Sequence, residues 1–458
     1  MMANSTATQK DQLKLADETS SHAVLSLHDA LSVLESAYAN GDEEDAARLR
    51  DEIMGTLDRK ARPQLLKALY MRGLTALEEE HIDVADGLLT WLRQCDPLSL
   101  KAHLAEAAVV QKREGSKAAT DGFRDFVKRR PMHRIQAARE PGLMRVGTLM
   151  CVGSADLSFE MGGFTLPGGH SESQHLFAKA DHGNVFVFCD GLSGYELGGF
   201  DVLFNAISDP DVFGQELDAL SQTPEMLINQ PVHCLRNTRD WLSDAFGDET
   251  DFVVPKTRRI AARSRRSDVL AEVDLRFPLL MRPVGSQTGE GLVKFDAARD
   301  FKQTEYILEE SYLTEFHEFR SEDAWYRKYR CWWIGGRVVP NHLFVHAHWK
   351  VHSAASRLGT MAERPSLQEE EQAFLRDDSS DRRKQIDRMM HALAEANELD
   401  YFGVDFSFLP NGKIVVFEAN ATMRSHYPEF ADSFPYLSKP AGAHVAAFQD
   451  LISAKAAR

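Results

Sequence analysis

Apolar positions divide the chain into three stretches with different periods. From about Ser26 to Arg130 they recur at helical spacing in a segment rich in Ala, Leu, Glu and Arg, without strand-like alternation, which predicts helices only. After Pro141 the period gives way to short apolar runs between glycines: VGTLMCV (146–152), NVFVFCD (184–190), FDVLFNAI (200–207) and EMLINQP (225–231). Such runs read as strands buried on both faces of a parallel sheet. From about Asp251 to the end, aromatic-rich strands mix with a few helices. The expected architecture is therefore multidomain, α and α+β: a disordered tail (1–25), a helical domain (26–140), an α/β domain (141–250) and a larger domain (251–458). At about 100–200 residues per domain, a chain of 458 residues accommodates three.

Within the helical stretch Pro63, Pro97 and Pro131 stand 34 residues apart. Gly73 and Ala107 fall at equivalent places, as do Ala85 with Leu89 and Ala119 with Phe123. The spacing resembles that of tetratricopeptide helical hairpins. The alternative is a plain helical bundle whose prolines start helices in their first turn. Either form offers a partner or peptide a docking surface, or caps the next domain, because no cluster of catalytic groups stands out in it.

Charge narrows the function classes. Acidic residues outnumber basic ones by 69 to 53, a net charge of -16, which disfavours nucleic acid and anionic membranes as partners. Any bound anion must meet a local basic site. The five cysteines, Cys95, Cys151, Cys189, Cys234 and Cys331, are odd in number and widely spaced, arguing against a disulfide framework or a zinc site and for a reducing cytoplasm. No apolar run approaches the ~18 residues of a membrane span, and MMANSTATQKDQ lacks a signal-peptide core. A soluble cytoplasmic protein is expected.

Candidate chemistry concentrates after residue 250. FPLLMRPVGSQTGEGLVKF (277–295) reads as strand, glycine-punctuated turn, strand, with Arg282 ending the first strand and Gly285, Gly289 and Gly291 in a turn able to lay backbone amides over phosphate. In the run ending NHLFVHAHWKVHS, His346, His348, Lys350 and His352 alternate, so one strand face would carry four nitrogen groups. An exposed polar face, or histidines hydrogen-bonded within a sheet, is the alternative. Residues two apart on a strand are poorly placed to close a zinc tetrahedron, so Lys350 and Arg330 are assigned to anion contact. In LDYFGVDFSFLPNGKIVVFEANATM (399–423), Pro410-Asn411-Gly412 joins two strands into a hairpin. Glu418 and Asn420 share one face, and Asp405 can meet them across the ladder. Two carboxylates and an amide oxygen suit magnesium; exposed hairpin charges are the alternative, weakened by the apolar residues around them. A second glycine cluster, EMGGFTLPGGHSES (160–173), lacks the endings of a phosphate loop and reads as a flexible substrate loop.

Taken in order, these pieces resemble the ATP-grasp superfamily over roughly residues 145–455, closest in style to ribosomal-protein glutamate ligases and glutathione synthetases. The resemblance implies an α/β pre-ATP-grasp domain at 141–250 and an ATP-grasp domain at 251–458. It places the mobile phosphate loop at 277–292, with Arg282, Gly285, Gly289 and Gly291, and the adenine hinge in YLTEFHEF, with Glu315 and Phe316. Asp323 or Glu322 would serve the ribose, and Lys256 the nucleotide. Asp405, Glu418 and Asn420 would hold Mg2+, with ATP as the nucleotide. Arg282 and Arg330 would take the phosphoryl oxygens, Lys350 and His352 would face the acyl phosphate or incoming substrate, and Arg424 would anchor a substrate carboxylate. Two family lysines are replaced, by Arg282 and Trp241, and the proline-glycine ending after the metal asparagine is absent. Lys256, Arg258 and Arg259 are nearby substitutes. The implied activity is ATP-dependent carboxylate-amine ligation through an acylphosphate, releasing ADP and phosphate, on small-molecule or peptide substrates and with a protein or peptide partner on the helical repeats. The alternatives are a nucleotide-binding scaffold with little catalysis and a kinase, which would leave a phosphorylated product without an amide.

Overall fold

The computed structural model describes residues 12–14, 24–136, 143–152, 158–160, 163–165, 170–171, 174–177, 182–190, 197–221, 227–286, 289–421, 423–425 and 427–457. Most of the expected N-terminal tail and of the 160–173 glycine cluster lies outside them. Gln12–Lys14 and Val24–Ser26 form a short antiparallel pair. The described chain forms two compact units.

The first unit is six helices: α1 (Leu27–Ala39), α2 (Glu43–Thr56), α3 (Arg62–Glu78), α4 (Ile82–Cys95), α5 (Leu100–Glu114) and α6 (Ser116–Arg129). They pack as successive hairpins, α1 on α2, α3 on α4 and α5 on α6. A capping box starts α1, where Ser26 Oγ accepts the Asp29 amide at 3.2 Å while Asp29 Oδ2 accepts the Ser26 amide at 3.3 Å. Gly73 lets α3 lie on Leu89 of α4, where any Cβ would collide with that side chain. Ala85, Leu89, Ala119 and Phe123 are buried. Pro63 stands in the first turn of α3, whereas Pro97 precedes α5. The strand pair Ser158–Glu160 and Gly163–Thr165 belongs to this unit.

Among the described residues the second unit holds three sheets of four or five strands and a two-stranded antiparallel pair, Ser264–Arg265 with Tyr306–Ile307. Strands β1 (Met132–Gln136), β2 (Arg145–Met150), β3 (Gly183–Phe188), β4 (Val202–Asn205) and β5 (Leu227–Ile228) lie in the order β1-β3-β2-β4-β5, parallel except β1. The four apolar runs thus form the expected parallel strands, while β1 comes from the segment assigned to helices. A second sheet, order β7-β10-β8-β9, is wholly antiparallel and comprises β7 (Thr257–Ile260), β8 (Leu279–Pro283), β9 (Val293–Phe295) and β10 (Ser311–Glu315). The third, order β6-β14-β13-β11-β12, contains β6 (Phe252–Val253), β11 (Tyr326–Ile334), β12 (Arg337–His346), β13 (Tyr401–Phe408) and β14 (Ile414–Asn420).

One apolar core runs through this unit, from Leu149, Leu203 and Phe213 to Met389, Phe402 and Phe434. The segments on either side of residue 250 therefore share their interior. Burial of each such side chain contributes about 1.5–3 kcal/mol to the fold. Beneath β12, Arg357 and Glu371 form a fully buried ion pair, and Glu371 Oε1 also accepts the Leu343 amide at 3.0 Å.

Candidate functional site

The third sheet sorts its residues by face. Tyr329, Cys331, Val404, Phe406 and Ala419 point into the main core. On the intervening positions strand register lines up His342, Arg330, Asp405 and Glu418 as direct neighbours on β12, β11, β13 and β14. Gly412, with φ of 83°, makes the turn that sets the β13–β14 register, and its amide donates to Leu409 O at 2.8 Å. Asp405 faces Glu418 across the ladder, and Asn420 lies two positions along, opposite Gly403.

Asp405 is 1% exposed and doubly paired. Arg330 donates Nε to Oδ1 at 2.5 Å and Nη2 to Oδ2 at 2.8 Å, and Lys328 Nζ stands 3.0 Å from Oδ2. Burial alone would raise this carboxyl's pKa; Arg330 and Lys328 outweigh burial and hold it well below the carboxylate range. Glu418 follows the same logic, burial opposed by Arg239, which donates to Oε2. Both acids are ionised at neutral pH. His342, 1% exposed, is driven well below its ordinary pKa by burial and by the Arg330 charge.

Beside Glu418 and Asn420 opens a small cavity of about 40 Å3, lined also by Asp209, Arg239, Arg282, Gly285, Ser286 and Tyr312. That volume takes a few waters or an ion. Arg282, pushed down to about 10 by burial and by the neighbouring Arg239, stays cationic. It holds the glycine turn closed by donating to Ser286 O and, from Nε at 3.3 Å, to Ser286 Oγ. Tyr312 on β10 donates to Asp211 at 2.8 Å, and Arg259 on β7 also donates to Asp211, closing the wall opposite. Gly289, at φ of 76°, touches Lys350 and His352: a Cβ there would meet His352 Cε1 at 2.7 Å and Lys350 Cε at 3.0 Å. Only glycine fits both the angle and the approach.

The four alternating nitrogens, however, do not share a strand face. β12 ends at His346, and the chain then bends, because ring nitrogens replace ladder partners: His346 Nδ1 accepts the His348 amide at 3.1 Å and His348 Nδ1 the Lys350 amide at 3.2 Å.

Other residues singled out from sequence lie away from this cavity. Lys256 pairs with Asp274 at 2.6 Å, and its carbonyl accepts the Glu315 amide at 2.9 Å. Glu315 Oε1 accepts the Arg276 amide at 2.8 Å, while the Phe316 amide donates to Pro278 O at 2.8 Å. Lys294 Nζ stands 4.2 Å above the Phe316 ring. Asp323 is held in two bonds by Arg327, at 2.7 and 2.8 Å, and Arg424 likewise binds Glu429 at 2.6 and 2.9 Å. Three site groups escaped the sequence reading. Lys328 was legible, two residues before Arg330 and therefore on its face. Arg239 stands two places before Trp241, which instead packs on the core. No spacing signal pointed to Asp211.

The donors fit a divalent cation by chemistry: two ionised carboxylates on adjoining strands and an amide oxygen are hard ligands of the kind magnesium accepts alongside waters. Among the described residues no group of three or more His, Cys, Asp or Glu converges as a metal cage.

No protein-family profile matches the chain, and no curated protein matches it in sequence. Solved structures show partial likeness. A RimK-domain ATP-grasp protein of Sphaerobacter thermophilus aligns with TM-score 0.38 and 13% identity over 67% of this chain and 99% of its own. D-alanyl-alanine synthetase A of Vibrio cholerae aligns with TM-score 0.42 and 10% identity over 70% and 100%. N5-carboxyaminoimidazole ribonucleotide synthetase of Thermotoga maritima gives 0.34 and 14% over 60% and 68%.

Proposed function

We propose that the second unit is an ATP-dependent carboxylate-amine ligase of the ATP-grasp kind. The observation that carries this reading is the polar line Arg330–Asp405–Glu418 on one sheet face, beside a cavity where Arg239, Arg282 and a glycine turn meet. Four cations, Lys328, Arg239, Arg282 and Arg330, gather about Asp405 and Glu418, while Asp209 and the Arg259-paired Asp211 add acid to the wall, so the cations turn to phosphate only as a divalent cation takes the carboxylates.

A substrate carboxylate oxygen attacks the terminal phosphorus of ATP and ADP leaves; an amine nitrogen then attacks the acyl carbon, the C–O bond breaks, phosphate departs and the amine gives up a proton. Asp405, Glu418 and Asn420 would hold Mg2+, which when bound neutralises phosphate charge. Arg282 and Arg330 stabilise the charge developing on the phosphoryl oxygens, held in place before reaction. Arg282 also pins the glycine turn, and Gly289 brings it down on Lys350 and His352, so the closed turn excludes water from the activated acid. Glu315 and Phe316 receive the base, Asp323 or Glu322 the ribose, Lys256 the nucleotide and Arg424 the substrate carboxylate; Lys256, Asp323 and Arg424 must exchange their present ion-pair partners for the ligand. The helical unit, read as tetratricopeptide-like hairpins, docks a peptide or protein, and a cytoplasmic setting suits the free cysteines.

The scaffold reading has one observation in its favour: Trp241 brings no cation to the cavity and packs instead on the core, under Arg236. Turnover decides. Wild type should release ADP with pooled amino acids and small peptides and yield a condensed product by mass; Asp405→Asn with Glu418→Gln should release none. ADP release by that double variant would remove the two carboxylates from the reaction.

A further inference from the structure

We infer that Arg239 is an exchangeable stand-in for the divalent cation: it neutralises Glu418 until the cation takes that carboxylate, and then passes to the nucleotide phosphates. The inference rests on the reading above and concerns a residue to which that reading gives no separate task.

Arg239 begins helix Arg239–Ala245, which Thr238 caps by accepting the Trp241 amide on Oγ1 at 3.3 Å. One residue earlier, Asn237 Nδ2 donates to Ala419 O at 3.0 Å, next to Glu418 on β14. The backbone that carries Arg239 is therefore tied to the strand that carries its partner, and the guanidinium has one short reach. It spends that reach on Glu418 Oε2 and, from Nη1 at 3.4 Å, on Phe417 O. The two side chains are 24% and 22% exposed, open enough to exchange partners.

Both line the cavity with Asn420 and Arg282. Arg282 is likewise satisfied from within, by Ser286. The cations lining the cavity are thus paired with protein oxygens, Arg239 with Glu418 and Arg282 with Ser286. A carboxylate oxygen cannot serve a guanidinium and a metal ion at full strength together. A cation on Glu418 must displace Arg239, and the freed guanidinium, its backbone anchored through Thr238 and Asn237, turns into the cavity that it already lines. Metal and triphosphate would then bind interdependently through this one side chain, with Arg239 opposing the metal alone and assisting the nucleotide.

Binding separates the roles. Mn2+ binding to the full-length chain without nucleotide, followed by electron paramagnetic resonance of the free ion, and ADP binding with Mn2+, followed by calorimetry, would be measured for wild type, Arg239→Gln and Arg239→Lys. Losing a charged hydrogen bond on Glu418 corresponds to roughly ten- to a hundredfold. Arg239→Gln should therefore bind Mn2+ alone at least about tenfold more tightly and ADP about tenfold more weakly, and Arg239→Lys, which keeps the charge, should stay near wild type on both. Unchanged Mn2+ affinity in Arg239→Gln, with wild type binding ADP, overturns the exchange and leaves the proposed function standing. Absence of ADP binding by wild type overturns both. Should Arg239→Gln fail to fold, Arg239→Met with the Glu418→Gln control gives the same comparison.

Discussion

His342 shows how one position acquires its chemistry from its rung. Asn341 Nδ2 donates to Ser425 O at 2.9 Å, which turns Asn341 Oδ1 toward His342 Nδ1, 2.9 Å away. The imidazole is thereby fixed, buried and neutral beside Arg330. Its folded pKa lies below the unfolded value of about 6.5, so its stabilising contribution is complete above that pH and is lost as pH falls toward the folded value. Denaturation of wild type and His342→Gln at pH 7.5 and 5.5 should show wild type losing up to about 1.4 kcal/mol more per pH unit within that window; equal losses would mean that the ring is not buried neutral. Gly289 is tested by turnover. Gly289→Ala forces a Cβ onto His352 and Lys350, and a displaced turn should lower ADP release roughly ten- to a hundredfold with little change in melting temperature. At this scale the sequence displayed Asp405, Glu418 and Asn420 because polar residues broke an apolar alternation. It hid Arg239, whose partner lies 179 residues away and is set by packing.

Elements were legible where a local signal fixed them. The β13–β14 hairpin follows from Asn411-Gly412 alone, and the four parallel strands follow from apolar runs. The end of β12 was not legible, since a histidine that bends the chain through its ring nitrogen reads in sequence like one that continues the strand. Nor was the clasp beneath β12, because Arg357 and Glu371 sit in a stretch without pattern. Removing one member leaves the other charge buried and alone. Glu371→Ala should cost about 3–5 kcal/mol, and Arg357→Met with Glu371→Leu should recover most of it. Equal stability of Glu371→Ala and wild type in urea would show the clasp to be dispensable.

For the whole molecule, composition and period indicated a helical unit followed by sheet-bearing units, and the fold has that order. The break placed near residue 250 is a change of composition but not of core, since Leu203 and Phe213 share an interior with Phe402 and Met389. Residues 251–458 expressed alone should show no cooperative thermal transition by circular dichroism; a sharp one would establish an independent domain. The proposed function rests on a hairpin, a glycine turn and a short helix meeting around ionised carboxylates, a convergence visible in sequence only as motifs in order. Calorimetric titration of ATP, with magnesium and with chelator, into wild type and into Asp405→Asn with Glu418→Gln tests it most directly. Saturable binding that depends on magnesium in wild type, and loses that dependence in the double variant, is the expected result; no binding by wild type, or an undiminished magnesium requirement in the variant, would contradict it.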